Sequence, residues 1–203
     1  MNLKMLGLAS VAAMALMACV GVSSAAAVTH TVLCKATETP HCTSFYGAGT
    51  EIVAKNITNT EPTITGDGEF FKETKCKKST IAGKTESSTT PAGKIATFSF
   101  GECTNTIKVL KNGNFQVHHD AEHNGNITVG EYEIEVIAGI NCKFGGFIEE
   151  GITLTGSGLL PKIAVTVSMK NTGGHFLCPF SATWHAEYAL EKPIPLYVGE
   201  ENV

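Results

Sequence analysis

The densest run of chemistry-bearing side chains is His118-His119-Asp120-Ala121-Glu122-His123. Imidazole with carboxylate is a legitimate ligand set for a transition metal, and the same groups could serve an extracellular hydrolase or metal-dependent enzyme. Along a continuing strand, His118, Asp120 and Glu122 fall on one face and His119 and His123 on the other. The run leads straight into Asn124-Gly125, however, a dipeptide that favours a tight turn, and strand ends beside such turns are polar because they are solvated. The segment is therefore read as a solvated hairpin tip, with no metal site and no cofactor expected.

Other chemistry finds less support. Glu131, Glu133 and Glu135 form an acidic row, but calcium sites draw on closely spaced loop oxygens, and the chain has only two aspartates, Asp67 and Asp120. Lys72, Lys75, Lys77 and Lys78 cluster around Cys76 and could touch an anionic polymer or lipid surface. The plainer reading is edge-strand charge that discourages sheet-to-sheet association. There is no Gly-x-Ser-x-Gly elbow for a nucleophilic serine. Pairs of glutamates suited to glycoside hydrolysis arise by chance among so many. No catalytic residue is assigned.

The elements that would carry these residues have period two. Glu131-Tyr132-Glu133-Ile134-Glu135-Val136 alternates without a fault, with Tyr132, Ile134 and Val136 inward. Ala96, Phe98 and Phe100 share a face, as do Val165, Val167 and Met169, and Trp184, Ala186, Tyr188 and Leu190. Asn112-Gly113 and Asn124-Gly125 predict hairpins linking Ile107–Leu110, Phe115–His119 and Ile127–Val129 into a meander. Gly145-Gly146, Gly156-Ser157-Gly158 and Gly173-Gly174 predict further turns. Many short strands with no helix beyond the N-terminus give an all-β antiparallel sandwich or barrel-like domain with Greek-key or meander hairpins.

Residues 1–27 read as a signal peptide. Lys4 supplies the positive start, Met5 to Val20 the apolar run, and Gly21 to Ala27 a small-residue cleavage zone. Within it, Leu16-Met17-Ala18-Cys19 looks like a lipobox, so cleavage before Val28 competes with lipidation at Cys19. Residues 28–203 then form a single domain. A faint echo, Lys94-Ile95-Ala96 after Cys76 and Lys162-Ile163-Ala164 after Cys142, suggests two related halves.

Loss of the leader removes Cys19 and leaves six cysteines, an even number for an oxidising compartment. Sequence alone leaves 15 connectivities open; nearest-neighbour pairing gives Cys34–Cys42, Cys76–Cys103 and Cys142–Cys178. No Cys-x-x-Cys spacing supports zinc. The chain has no arginine, and without the leader its net charge is −5, one lysine fewer than the whole chain's −4. Both facts argue against a nucleic-acid partner.

The cysteine placements, Tyr46-Gly47-Ala48-Gly49-Thr50-Glu51-Ile52, Phe176-Leu177-Cys178-Pro179 and the Trp184-x-Ala186-x-Tyr188 tail ending in Pro195-Leu196-Tyr197-Val198 resemble a group of uncharacterised secreted proteins from soil actinobacteria. The resemblance covers most of residues 32–198. It implies a bacterial origin, with Asn56 and Asn126 carrying no glycan, and no activity. The expectation is a secreted or surface-associated structural or binding module without catalysis, meeting an extracellular protein or polymer, and a membrane only if lipidated at Cys19. The alternative is the hydrolase or metal-dependent enzyme built on His118–Glu122.

Overall fold

Valine, threonine and aromatic residues suit a pleated surface buried on one side, and where they alternate the chain is extended. In β10 (Lys162–Gly174) Val165, Val167 and Met169 face inward. In β11 (Ser181–Lys192) Trp184, Ala186, Tyr188 and Leu190 do the same, with Thr166, Ser168, His185 and Glu187 outside. The two strands pair antiparallel from Lys162↔Ala189 to Lys170↔Ser181. These features come from a computed structural model, which describes residues 29–37 and 41–202. The expected signal peptide, with Cys19, lies outside the described residues.

The remaining strands complete a ring. β2 (Glu51–Asn56) and β3 (Thr63–Gly66) share one lane between β11 and β4 (Glu73–Thr85). β5 (Ala92–Cys103), β6 (Thr106–His119) and β7 (Gly125–Ile137) follow in chain order. β8 (Asn141–Ile148) and β9 (Ile152–Thr155) share the lane between β7 and β10. The sheet thus closes on itself as an antiparallel meander. Its walls also pack face to face as sandwich walls do: the Phe98 ring of β5 lies 5.2 Å from the Trp184 ring of β11. All three expected disulfides are present.

The ends of the ring differ. Cys76–Cys103 joins facing positions of β4 and β5, and Cys142–Cys178 ties the start of β8 to the loop 175–180, both at one end. A two-stranded ribbon of β1 (Thr29–Cys34) and β12 (Tyr197–Asn202) covers the other end. There the His119 backbone N–H donates to Thr31 Oγ1 at 3.1 Å, and Leu33, Leu196 and Val198 close the core. Cys34–Cys42 braces the ribbon.

Several local expectations are corrected. Asn112-Gly113 makes no hairpin, because β6 runs unbroken from Thr106 to His119 and kinks there through a bulge near Leu110. Gly113 is needed for close approach: its φ is +85°, and a Cβ would lie 2.6 Å from the Gly130 carbonyl oxygen. Gly145-Gly146 lies inside β8, with Gly146 at φ +116°, and Gly173-Gly174 ends β10 rather than turning it. Ala96 does not share the face of Phe98 and Phe100. Ala82 faces Thr97 and Gly83 faces Ile95, so Ala96 is the extra residue of a bulge and points outward. Of the acidic row, Glu135 is only 9% exposed, covered by Lys108 and Asn141.

The pleat leaves a measurable mark on two tyrosines. Burial pushes the Tyr132 and Tyr188 hydroxyls well above their ordinary value, outweighing the Ser79 hydrogen bond that acts the other way on Tyr188. Both should remain un-ionised in folded protein at about pH 11 and ionise on unfolding, read as absorbance near 295 nm. Because their folded values are raised, the stability they contribute is complete below about pH 10 and declines above it. The unfolding midpoint should fall as pH rises through that range. Full ionisation of all tyrosines in the folded state would contradict the inward assignment.

Candidate functional site

The structure does not gather the His118 cluster. β6 ends at His119, and residues 120–124 turn back with Asp120 N donating to Asn124 O at 3.2 Å. His118 is exposed and its Nε2 lies 3.3 Å from Thr128 Oγ1. Asp120 and Glu122 are exposed on the turn, Glu122 at φ +54°. His119 faces the ribbon instead, with Nδ1 3.4 Å from Glu200 Oε1. The alternation that would align His118, Asp120 and Glu122 requires a strand that has already ended. Among the described residues, no three His, Cys, Asp or Glu side chains come together as a metal-binding group.

The opposite end, where two disulfides sit, is chemically different. Phe176 is 86% and Phe180 96% exposed on the loop 175–180, with Leu177 beside them and the half-exposed Phe70 on the loop 67–72. Large apolar side chains displayed together mark contact surfaces. This loop is held in place. Cys178 is bonded to Cys142, Asn171 Nδ2 donates to Pro179 O at 2.8 Å, and Asn171 N donates to Phe180 O at 2.9 Å. His175 N donates to Asn141 O at 2.9 Å, and the His175 ring stacks on Phe176 at 4.5 Å. Pro179 is buried, and a Cβ on Gly66 would meet both it and Phe71 within 2.9 Å, so the two apolar loops abut.

The lysine cluster borders the same end. Lys75 pairs with Glu73 at 3.2 Å and Lys78 pairs with Glu102, whose carboxyl is held below the usual range by that hydrogen bond. Carboxylates therefore offset Lys75 and Lys78, two of the four lysines of the cluster. In sequence, Phe176-Leu177-Cys178-Pro179 stood out only as a point of resemblance. Its exposure was hidden because an apolar run beside a cysteine normally signals burial.

Inside the ring is a second feature, an apolar cavity of about 70 Å³ lined by side chains that include Phe98, Phe115, Ile127, Ile163 and Trp184. Trp184 is 4% exposed, and its Nε1 meets no acceptor at hydrogen-bonding geometry. The nearby Tyr188 hydroxyl is bonded to Ser79 Oγ at 2.8 Å, and the Trp184 indole N–H directed at it also favours its ionised form, though both effects are outweighed by burial. No family model, curated protein or solved structure matches this chain.

Proposed function

We propose that the protein is an exported, non-catalytic binding module that grips a partner surface with the end carrying Phe70, Phe176 and Phe180. The observation that carries this reading is the exposure of Phe176 and Phe180 on a loop fixed by a disulfide and by the Asn171 hydrogen bonds. A pre-ordered aromatic pays little ordering entropy on contact, and aromatic anchors dominate binding energy at protein interfaces. Three disulfides are compatible with an oxidising, extracellular setting. Export itself rests on the leader and a bacterial source on the resemblance. The chain enters the fold through β1, at the end opposite the phenylalanines. A lipid at Cys19 would tether the domain from the ribbon end, and a released form would present the aromatic loops to an extracellular protein or polymer.

The test is binding of fluorescently labelled mature domain to envelopes of the producing cell. Phe176→Ser combined with Phe180→Ser is expected to weaken binding at least tenfold, as loss of two anchors implies. Melting temperature should stay within about 2 °C, because both rings are exposed. Undiminished binding by the double variant would overturn the reading.

A further inference from the structure

Two surface features stand apart from the exposed phenylalanines. One is a gap in the ring: β5 and β6 pair only from Ala92↔Gln116 to Lys94↔Asn114, and the exposed Lys108 and Lys111 border the stretch beyond. The other is apolar and lies at the ribbon end. Leu159 is 80% and Leu160 65% exposed on the loop 156–161, and Ile194 is half-exposed on the loop 193–196, which runs directly into β12. The two loops lie side by side. Ser157 and Leu196 exchange backbone hydrogen bonds of 2.8 and 3.2 Å, and Leu190 N donates to Pro161 O at 2.9 Å. Ser157 Oγ accepts from Leu159 N and Leu160 N, both at 3.4 Å, and Pro195 O accepts from the Tyr46 hydroxyl at 2.7 Å. Pro161 and Leu196 are buried, so the leucines are held outward on a seated loop. A single exposed leucine carries little meaning, but two in succession on a fixed loop, with an isoleucine on the neighbouring segment, mark a contact surface.

What covers this surface follows from where the chain arrives. β1 begins at Thr29 in the ribbon of the same end, and the ten residue steps from Cys19 to Thr29 span at most about 35 Å. β6 alone is about 45 Å long, so bringing the far end to a bilayer that holds Cys19 would stretch the tether almost fully. We propose that Leu159, Leu160 and Ile194 seat the ribbon end in the interfacial layer of a lipid bilayer when the chain is anchored through Cys19. One acyl chain holds a protein only marginally, and a second apolar contact makes the attachment stable. The leucine loop supplies that contact and holds the phenylalanine end off the bilayer. Lys162, exposed two residues beyond Leu160, is a cation of the kind that meets headgroup phosphate beside an inserted apolar loop. This seating rests on the exported, anchored form of the module; a released form has no use for it.

The three disulfides use six of the seven cysteines, so in the chain from Cys19 onward only that thiol couples to a maleimide-bearing lipid. On phosphatidylcholine vesicles with brominated acyl chains, the coupled Leu159→Trp variant should lose about half or more of its added emission, as a ring in the interfacial layer meets the quencher. A Phe180→Trp variant should keep its emission, and the buried Trp184 gives both the same background. Adding Leu160→Ser and Ile194→Ser should restore the Leu159→Trp emission. All these sites are exposed, so circular dichroism should show the fold unchanged. Emission lost at Phe180→Trp instead would put the far end on the bilayer and overturn the proposal, as would emission kept at both sites. A dimer of the uncoupled domain that Leu160→Ser dissociates would assign the surface to a second copy and overturn it too. Because the lipid is supplied chemically, the result does not depend on whether the cell lipidates Cys19, and the phenylalanine end is judged separately by the envelope assay.

Discussion

Trp184→Ala is expected to lower the free energy of unfolding by ~3–5 kcal/mol, the range for emptying a large aromatic from a packed core. The ring lies 5.2 Å from Phe98 and 6.1 Å from Phe100 on the opposite wall, and 6.3 Å from Tyr188 four residues along its own strand. Removing it takes out one aromatic contact between the facing walls, and the existing cavity would merge with the new void. Thr183→Ala, one residue away and facing solvent, should change stability by less than about 0.5 kcal/mol. Urea unfolding followed by circular dichroism measures both. The reverse ranking would mean that the faces of β11 are exchanged.

Loss of the Cys142–Cys178 bond is the second large effect. With a sequence separation of 36, the loop-closure model assigns ~3.8 kcal/mol to replacing both cysteines with serine. The Cys34–Cys42 pair closes only a separation of 8 and should cost ~2.6 kcal/mol. The longer crosslink also positions Phe176 and Phe180, so its removal should weaken envelope binding as well as stability. Denaturation midpoints and the binding assay together separate the two consequences. Equal stability of the two double variants would argue that the longer loop is already constrained in the unfolded chain.

The strands of β7, β10 and β11 were legible because one side of each is buried, which writes the inward set into every second residue. The cysteine pairing was not fixed by the sequence, which left 15 connectivities open; of the three bonds, only Cys76–Cys103 joins neighbouring paired strands, and the other two tie a strand to a loop. What escaped were interruptions of the pleat. Asn112-Gly113 has the local preference of a hairpin, yet Gly113 is required by the Gly130 carbonyl of the adjacent strand, and no local rule sees that neighbour. Ala96 breaks the alternation for a similar reason, since the bulge is defined by its pairing with β4. The cluster around His118 drew attention through residue type alone, and the end of β6 disperses it. The phenylalanine end was obscured by the rule that apolar side chains go inside. The cavity was invisible, because a void is set by how facing walls fail to fill the space between them.

A ring of hydrogen-bonded strands offers no template to a second molecule, since each lane is already satisfied by the next. The stretch where β5 and β6 part company is the exception, with backbone donors and acceptors on both strands lacking a ladder partner. Self-association by strand addition therefore has a preferred place to begin. Glu102, Lys108 and Lys111 are exposed along that stretch, and charged side chains at an unpaired strand edge discourage such pairing.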